Sequence, residues 1–314
     1  FLNQWADEPN FGGIPYGTCS LGDLNCVDKI AVAKIDGAWT SPDTTAVTID
    51  GWITSVDNYI KIYTTPTARH DGKWNTSKYR LQGSNKYHGM LNIYEHFVRV
   101  DGLQIRDTTI SFTGGGSFAA ISSYNLPSGD SDIQISNNFL ISNNGSTSNH
   151  EYNGGFSGSV NVAQLKMWNN IIVNFWRGIY IYLSSGANYS IYNNTVINSG
   201  DMGMSVSLYG ANDTLHLKNN LIQGSASNYH FNGTATTADY FNNLSQDATS
   251  PNASYRNKTV IFVDAVNNDF HLSSSDTSAK DTGKTILADP DLSFNDDIDG
   301  QAREPVWDIG ADAL

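Results

Sequence analysis

The amino-acid sequence predicts an all-β chain wound as a β-solenoid, and three observations carry that expectation. The pair Asn-Asn recurs in one local setting, with a short alternating run before it and a short apolar run after it. Asn, Ser, Thr and Gly are used heavily, whereas the helix-favouring Lys, Arg, Glu and Leu are scarce. Leu/Ala-rich amphipathic segments, which helical repeats would need, are absent.

Taken in order, residues 1–45 carry Trp5, Cys19, Cys26 and Trp39 and are expected to cap or precede the first coil. Coils follow over 46–257, and 258–314 is expected to close the last of them. Ala46-Val-Thr-Ile-Asp-Gly-Trp-Ile and Phe97-Val-Arg-Val-Asp-Gly-Leu-Gln-Ile share an Asp-Gly corner. Asp50 and Asp101 are 51 residues apart, which suits two coils with Tyr59-Ile-Lys-Ile-Tyr as the strand between. Polar insertions are expected at 69–87, 114–130 and 142–156.

The repeat is clearest in Asp132-Ile-Gln-Ile-Ser-Asn-Asn-Phe-Leu-Ile, Leu165-Lys-Met-Trp-Asn-Asn-Ile-Ile-Val, Tyr189-Ser-Ile-Tyr-Asn-Asn-Thr-Val-Ile and Leu215-His-Leu-Lys-Asn-Asn-Leu-Ile. A fifth pair precedes Leu244. The first asparagines stand at 137, 169, 193, 219 and 242, at intervals of 32, 24, 26 and 23 residues. Such a period fits one turn of a three-faced solenoid and is too short for a propeller blade. Period-2 alternation points one side of each strand inward. Asn tolerates the left-handed backbone of a tight corner, and stacked corners place like amides above one another in a ladder.

On these Asn-Asn coils the chain resembles the right-handed parallel β-helix repeat proteins, a secreted group that includes pectate and other polysaccharide lyases, epimerases and surface proteins. The resemblance covers roughly residues 45–314 and implies a right-handed, single-stranded parallel β-helix of about eight to ten coils with capped ends. Asn268-Asp-Phe-His-Leu, Asp297-Ile-Asp-Gly-Gln-Ala-Arg and Asp308-Ile-Gly-Ala resemble the C-terminal closure of many exported members. The resemblance implies a secreted or cell-surface location and no particular reaction.

Composition narrows the function. With 31 acids against 18 bases the 314-residue chain carries a net charge of −13, which disfavours nucleic acid as a partner. No apolar run approaches the roughly 20 residues of a membrane helix. A first residue of Phe1 rather than Met is expected of a mature product freed of its signal peptide, or equally of a recombinant expression start. In an oxidising compartment Cys19 and Cys26 would close a small disulfide loop; two free thiols are the alternative. Sequons occur at Asn75, Asn144, Asn188, Asn193, Asn212, Asn232, Asn243, Asn252 and Asn257. Roughly seven would arise by chance in so polar a chain, so they mark candidate glycosylation sites only.

Two chemistries compete for the candidate site. A polysaccharide lyase needs a cation to neutralise a uronate carboxylate and a base to take the adjacent proton. Lys166 and Arg177 are the candidate catalytic pair, with Trp168 and Trp176 to stack on sugar rings and His150 and Glu151 in the preceding loop. The alternative places Lys166 and Arg177 in solvated positions and the tryptophans partly in the core. A glycosidase needs paired carboxylates about 5–9.5 Å apart, with Asp130 or Asp132 set against Asp201 and Asp213. The central coils hold no Asn-Thr-Asp, Asp-Asp or Gly-His-Gly arrangement to support it. The basic, aromatic stretch from Arg69 to Arg80, with Lys73 and Trp74, is either a glycan or subunit grip or a loop folded over the solenoid side.

The acids Asp289, Asp291, Asp296, Asp297 and Asp299 admit a calcium reading centred on Asp297 and Asp299, against a plain turn-capping role. The seven histidines are scattered, so zinc is not expected. No nucleotide-binding glycine motif occurs, and no cofactor is expected. With no recognisable catalytic motif, the leading expectation is a non-catalytic structural or adhesive subunit of a surface layer, fibre or filament. Its partners would be copies of itself or a polysaccharide. The rival is a polysaccharide lyase acting on an acidic glycan.

Overall fold

The computed structural model describes residues 2, 19–84, 89–108, 118–124, 126, 129–143, 153–159, 162–183, 186–209 and 212–314. Its strands stack into three parallel sheets. The first has eight strands, from Ala31–Ile35 through Ile60–Thr64, Phe97–Asp101, Asp132–Ser136, Gln164–Trp168, Asn188–Tyr192 and Thr214–Lys218 to Thr237–Phe241. The second runs over seven strands from Leu81–Gly83 to Leu244–Ser245, and the third over seven from Val47–Ile49 to Ser227–Gly233. Successive strands visit the three sheets in turn, so the chain forms a parallel β-solenoid, as the repeat predicts.

Alternation sets the core. In the first sheet Ile60, Val98, Ile133, Leu165, Tyr189 and Leu215 share one register row and are all buried. Their neighbours two residues on, Ile62, Val100, Ile135, Met167, Ile191 and Leu217, form a second inward row. Residues between these rows point out and are polar, charged or aromatic, and they build the candidate site.

The asparagine pairs divide the work at the corner. The first of each pair, Asn137, Asn169, Asn193, Asn219 and Asn242, takes the left-handed conformation, with φ between 50° and 56°. The second turns inward into the expected ladder. The backbone N–H and Nδ2 of Asn138 both donate to Asn170 Oδ1 at 3.0 Å. Asn170 donates likewise to Asn194, Asn194 to Asn220, Asn220 to Asn243, and Asn243 to Asn252. Each Nδ2 from Asn138 to Asn243 also donates to a backbone carbonyl of an adjacent coil, so these buried amides have both N–H bonds and their oxygen engaged.

Two expectations about organisation change. Asp50-Gly51 follows a third-sheet strand, whereas Asp101-Gly102 follows a first-sheet strand paired directly with Ile60–Thr64. These corners are therefore not equivalent, because the insertions between them break the period. The C-terminal segment also does more than close the last coil. Val260, Phe270, Leu272, Ala279, Ile298, Ile309 and Ala311 cover the outward apolar row Phe139, Ile171 and Leu221 of the second sheet. It is a strap laid lengthwise along the solenoid.

At the other end Cys19 and Cys26 are joined in a disulfide around the short helix Leu24–Val27, whose Leu24 is fully buried.

Candidate functional site

The outward face of the first sheet carries two register rows. One reads Val32, Lys61, Arg99, Gln134, Lys166, Ser190, His216, Asp239. The other reads Lys34, Tyr63, Asp101, Ser136, Trp168, Tyr192, Lys218, Phe241. Strands about 4.8 Å apart thus set Lys61, Arg99 and Lys166 in one row, interrupted only by Gln134, with Asp239 at the far end.

A groove of about 260 Å³ opens on this row, lined among others by Lys61, Arg69, Arg99, Asp101, Trp168 and Asp296. The strap supplies one wall: Phe294 stacks on Trp168 at 6.0 Å between ring centroids. The cations are held in place. Arg99 lies 3.2 Å over the Tyr59 ring and 3.7 Å from Asp132, and Lys166 is 3.4 Å from the other oxygen of Asp132. Arg69 makes a two-pronged pair with Asp101, each bond 3.2 Å. Burial raises the pKa of Asp296.

Beyond the groove the strap is ion-locked. Lys218, 3% exposed, meets Asp289 at 2.5 Å and Asp239 at 2.8 Å. Burial alone would lower its pKa, but hydrogen bonds to the two carboxylates outweigh that and raise it. His216 faces Asp239 at 3.7 Å and Asp291 at 3.5 Å.

The sequence candidates are brought together only in part. Lys166 and Trp168 share one strand of this face. Arg177 lies on the third sheet, paired with Asp201 at 3.1 Å and stacked on Tyr180, with half-buried Trp176 just before it. Lys166 and Arg177 therefore lie on different faces, because the second-sheet strand Ile171–Val173 and a corner on each side of it separate their strands. His150, Glu151 and Asn144 lie outside the described residues.

The proposed carboxylate pairs also separate. Asp132 sits on the first sheet and Asp201 before a third-sheet strand, while Asp213 is buried and accepts the N–H groups of Gly186 and Ala187. The Asp130 backbone carbonyl meets His96. Lys73 pairs with Asp71 and Asp269, and Trp74 lies under the Arg106 guanidinium against Phe139. This loop is folded over the solenoid side and only Arg69 reaches the groove, so Lys73 and Trp74 offer no open sugar platform.

Asn193 and Asn243 are fully buried with their amide nitrogens donating, which removes both from the glycan acceptors. Asn212, Asn232 and Asn257 are exposed; Asn75, Asn188 and Asn252 are half-buried.

Asp297 is a turn cap: its oxygens accept from the backbone N–H of Asp299, Gln301 and Ala313. Asp299 instead faces His271 and Asp312. Sequence reasoning missed that cluster and also Arg99, whose partner Tyr59 is 40 residues away. The outward, in-register position of Arg99 relative to Lys166 was the available signal. No protein-family model matches the chain, and no curated protein matches it.

Proposed function

We propose that the protein is a secreted, extracellular β-solenoid that acts as a non-catalytic adhesive subunit of a surface assembly, holding an acidic polysaccharide across the first-sheet groove. The observation that carries this reading is the stripe Lys61, Arg99 and Lys166, joined by Arg69 and edged by Trp168 and Phe294, on a chain of net charge −13. Cations repeating on the scale of a sugar ring, beside aromatic faces, suit an anionic glycan. The groove is smaller than the roughly 300 Å³ of an enclosing pocket, which favours a chain lying across it. Arg69 and Arg99 in that groove and Lys166 beside it each have a carboxylate partner, which favours binding over proton abstraction. The winding is taken as right-handed, the hand that crossover connections between parallel strands favour, with eight first-sheet strands supporting the expected eight to ten coils.

Support for the assembly part comes from the solenoid ends. Ala31–Ile35 and Thr237–Phe241 each have one strand neighbour in the first sheet, so each end presents an edge without a strand partner among the described residues.

A lyase remains the second reading, favoured by one observation. Arg99 and Lys166 flank the Asp132 carboxylate as such a pair would flank a uronate, and Arg99 would replace Arg177 in that role. Titration with polygalacturonate and alginate at two salt concentrations separates these readings. Salt-sensitive binding, weakened about tenfold or more by Lys166→Ala, without ultraviolet-absorbing unsaturated products, is expected. Unsaturated products lost in Lys166→Ala would establish the lyase; no binding to any acidic glycan would overturn the groove reading.

A further inference from the structure

We infer that the strap contains a metal centre, in which His271 Nε2 and the carboxylates of Asp299 and Asp312 take a divalent cation of the zinc class. His271 lies on the strand Asp269–Leu272, Asp299 on the turn after Asp297, and Asp312 two residues from the last residue. Folding brings one ligand atom from each within 4.8 Å of the others.

The second imidazole nitrogen is already committed. Nδ1 meets Asp269 Oδ1 at 2.5 Å, the carboxylate–histidine arrangement that fixes a metal-binding ring and leaves Nε2 as the ligand atom. Nε2 then faces two carboxylates, at 3.5 Å from Asp299 and 4.0 Å from Asp312. A lone pair pointing at two anions needs a cation between them, either a proton or a metal. A proton would draw a carboxylate to about 2.7–2.9 Å. Ligands bound tetrahedrally at about 2.0–2.1 Å from zinc stand roughly 3.4 Å apart, which matches the 3.5 Å to Asp299 and needs Asp312, at 4.0 Å, to draw in by about half an ångström.

Two further observations point the same way. Asp312 is 3% exposed and its Oδ1 has no hydrogen-bond partner, while Oδ2 accepts from the Leu272 N–H at 2.6 Å. Asp299 Oδ1 is likewise buried and unpartnered. Space beside Nε2 is kept open by Gly72, where a Cβ would lie 2.4 Å from that nitrogen. Imidazole with carboxylates suits zinc better than calcium, which takes oxygen ligands. Water would complete the fourth position. Such an ion would tie the strap's hairpin, its acidic turn and its C-terminal end into one unit beside the Gly72 loop.

The test uses the full, tag-free chain after chelator treatment, titrated calorimetrically with zinc, manganese and calcium salts, with thermal unfolding followed in parallel. One equivalent of zinc, a raised melting temperature, loss of both in His271→Gln and a 10–100-fold weaker site in Asp269→Asn are expected. Circular dichroism and the metal-free melting temperature report whether each variant still folds. The inference fails if no zinc binds, if calcium binds more tightly than zinc, or if His271→Gln binds zinc as well as the parent. It fails equally if both ring N–H protons of His271 appear in the nuclear magnetic resonance spectrum with zinc in excess.

Discussion

At the residue scale, the asparagines show how one side chain does different work in adjacent positions. Asn193 turns the corner at φ 50° and holds the strap by donating to the carbonyls of Asp308 and Gly310 at 3.1 and 3.0 Å. Asn194, one residue on, points inward and donates to Asn220. His70 offers a pH-dependent test at the same scale. Its Nε2–H donates to Asn137 O at 2.9 Å and its Nδ1 accepts from the Gly72 N–H at 3.3 Å, so the buried ring is held neutral. Burial, with help from Arg69, pushes its pKa down from 6.5 to about 4. The unfolded ring takes a proton near pH 6.5 while the folded one resists to about 4. Its contribution is complete above the upper value and is lost as pH falls toward the lower, amounting to about 3 kcal/mol. Urea unfolding of His70→Gln across that window should show a shallower pH slope than the parent, the total loss of stability being smaller by that amount. An unchanged slope would mean that the ring protonates without cost.

At the element scale, the ladder and the strap are one system. Inner amides pair coil to coil, and outer amides present Nδ2 groups to the strap: Asn169 to Asp296 O, Asn219 to Lys284 O and Asn242 to Thr282 O. Replacing Asn194 by Ala leaves the N–H and Nδ2 of Asn170 without their acceptor and the carbonyls of Met167 and Tyr192 without their donor. Because the site is fully buried, water cannot replace those bonds. Asn194→Ala should cost about 2–4 kcal/mol, read as a lower urea midpoint; a loss near zero would show that the ladder is ornamental. The strands, the αL corners and the ladder were legible in the sequence because they depend on period and residue type. The strap was legible only as an end segment. Its docking depends on Asn169 meeting Asp296 and Arg303, 127 and 134 residues away, which no local pattern encodes.

For the whole molecule, each coil contacts mainly its neighbours, so disturbances at one end should stay there. The Cys19–Cys26 disulfide spans a separation of 7 residues, and its loop closure is worth roughly 2–3 kcal/mol. Reduction should speed amide hydrogen exchange in Ala31–Ile35 and leave Asn188–Tyr192 protected. Uniform loss of protection would show instead that the solenoid unfolds as one cooperative unit. The strap is the structural reason to look for such coupling, since it bridges coils from Lys73, against Asp269, to Asn242.

By itself the sequence determined the solenoid, because stacking identical strands demands a period, an alternation and a residue able to turn left-handed at each corner. It also placed Lys166 and Trp168 on one strand, since that depends only on adjacency. The tertiary structure alone decided that Arg177 lies on another sheet and that Arg99 and Lys166 flank Asp132 from either side. It also gathered His271, Asp299 and Asp312 into one cluster. Lateral neighbours in a parallel sheet are one whole coil apart in sequence, and insertions of unequal length hide that register until the strands are paired.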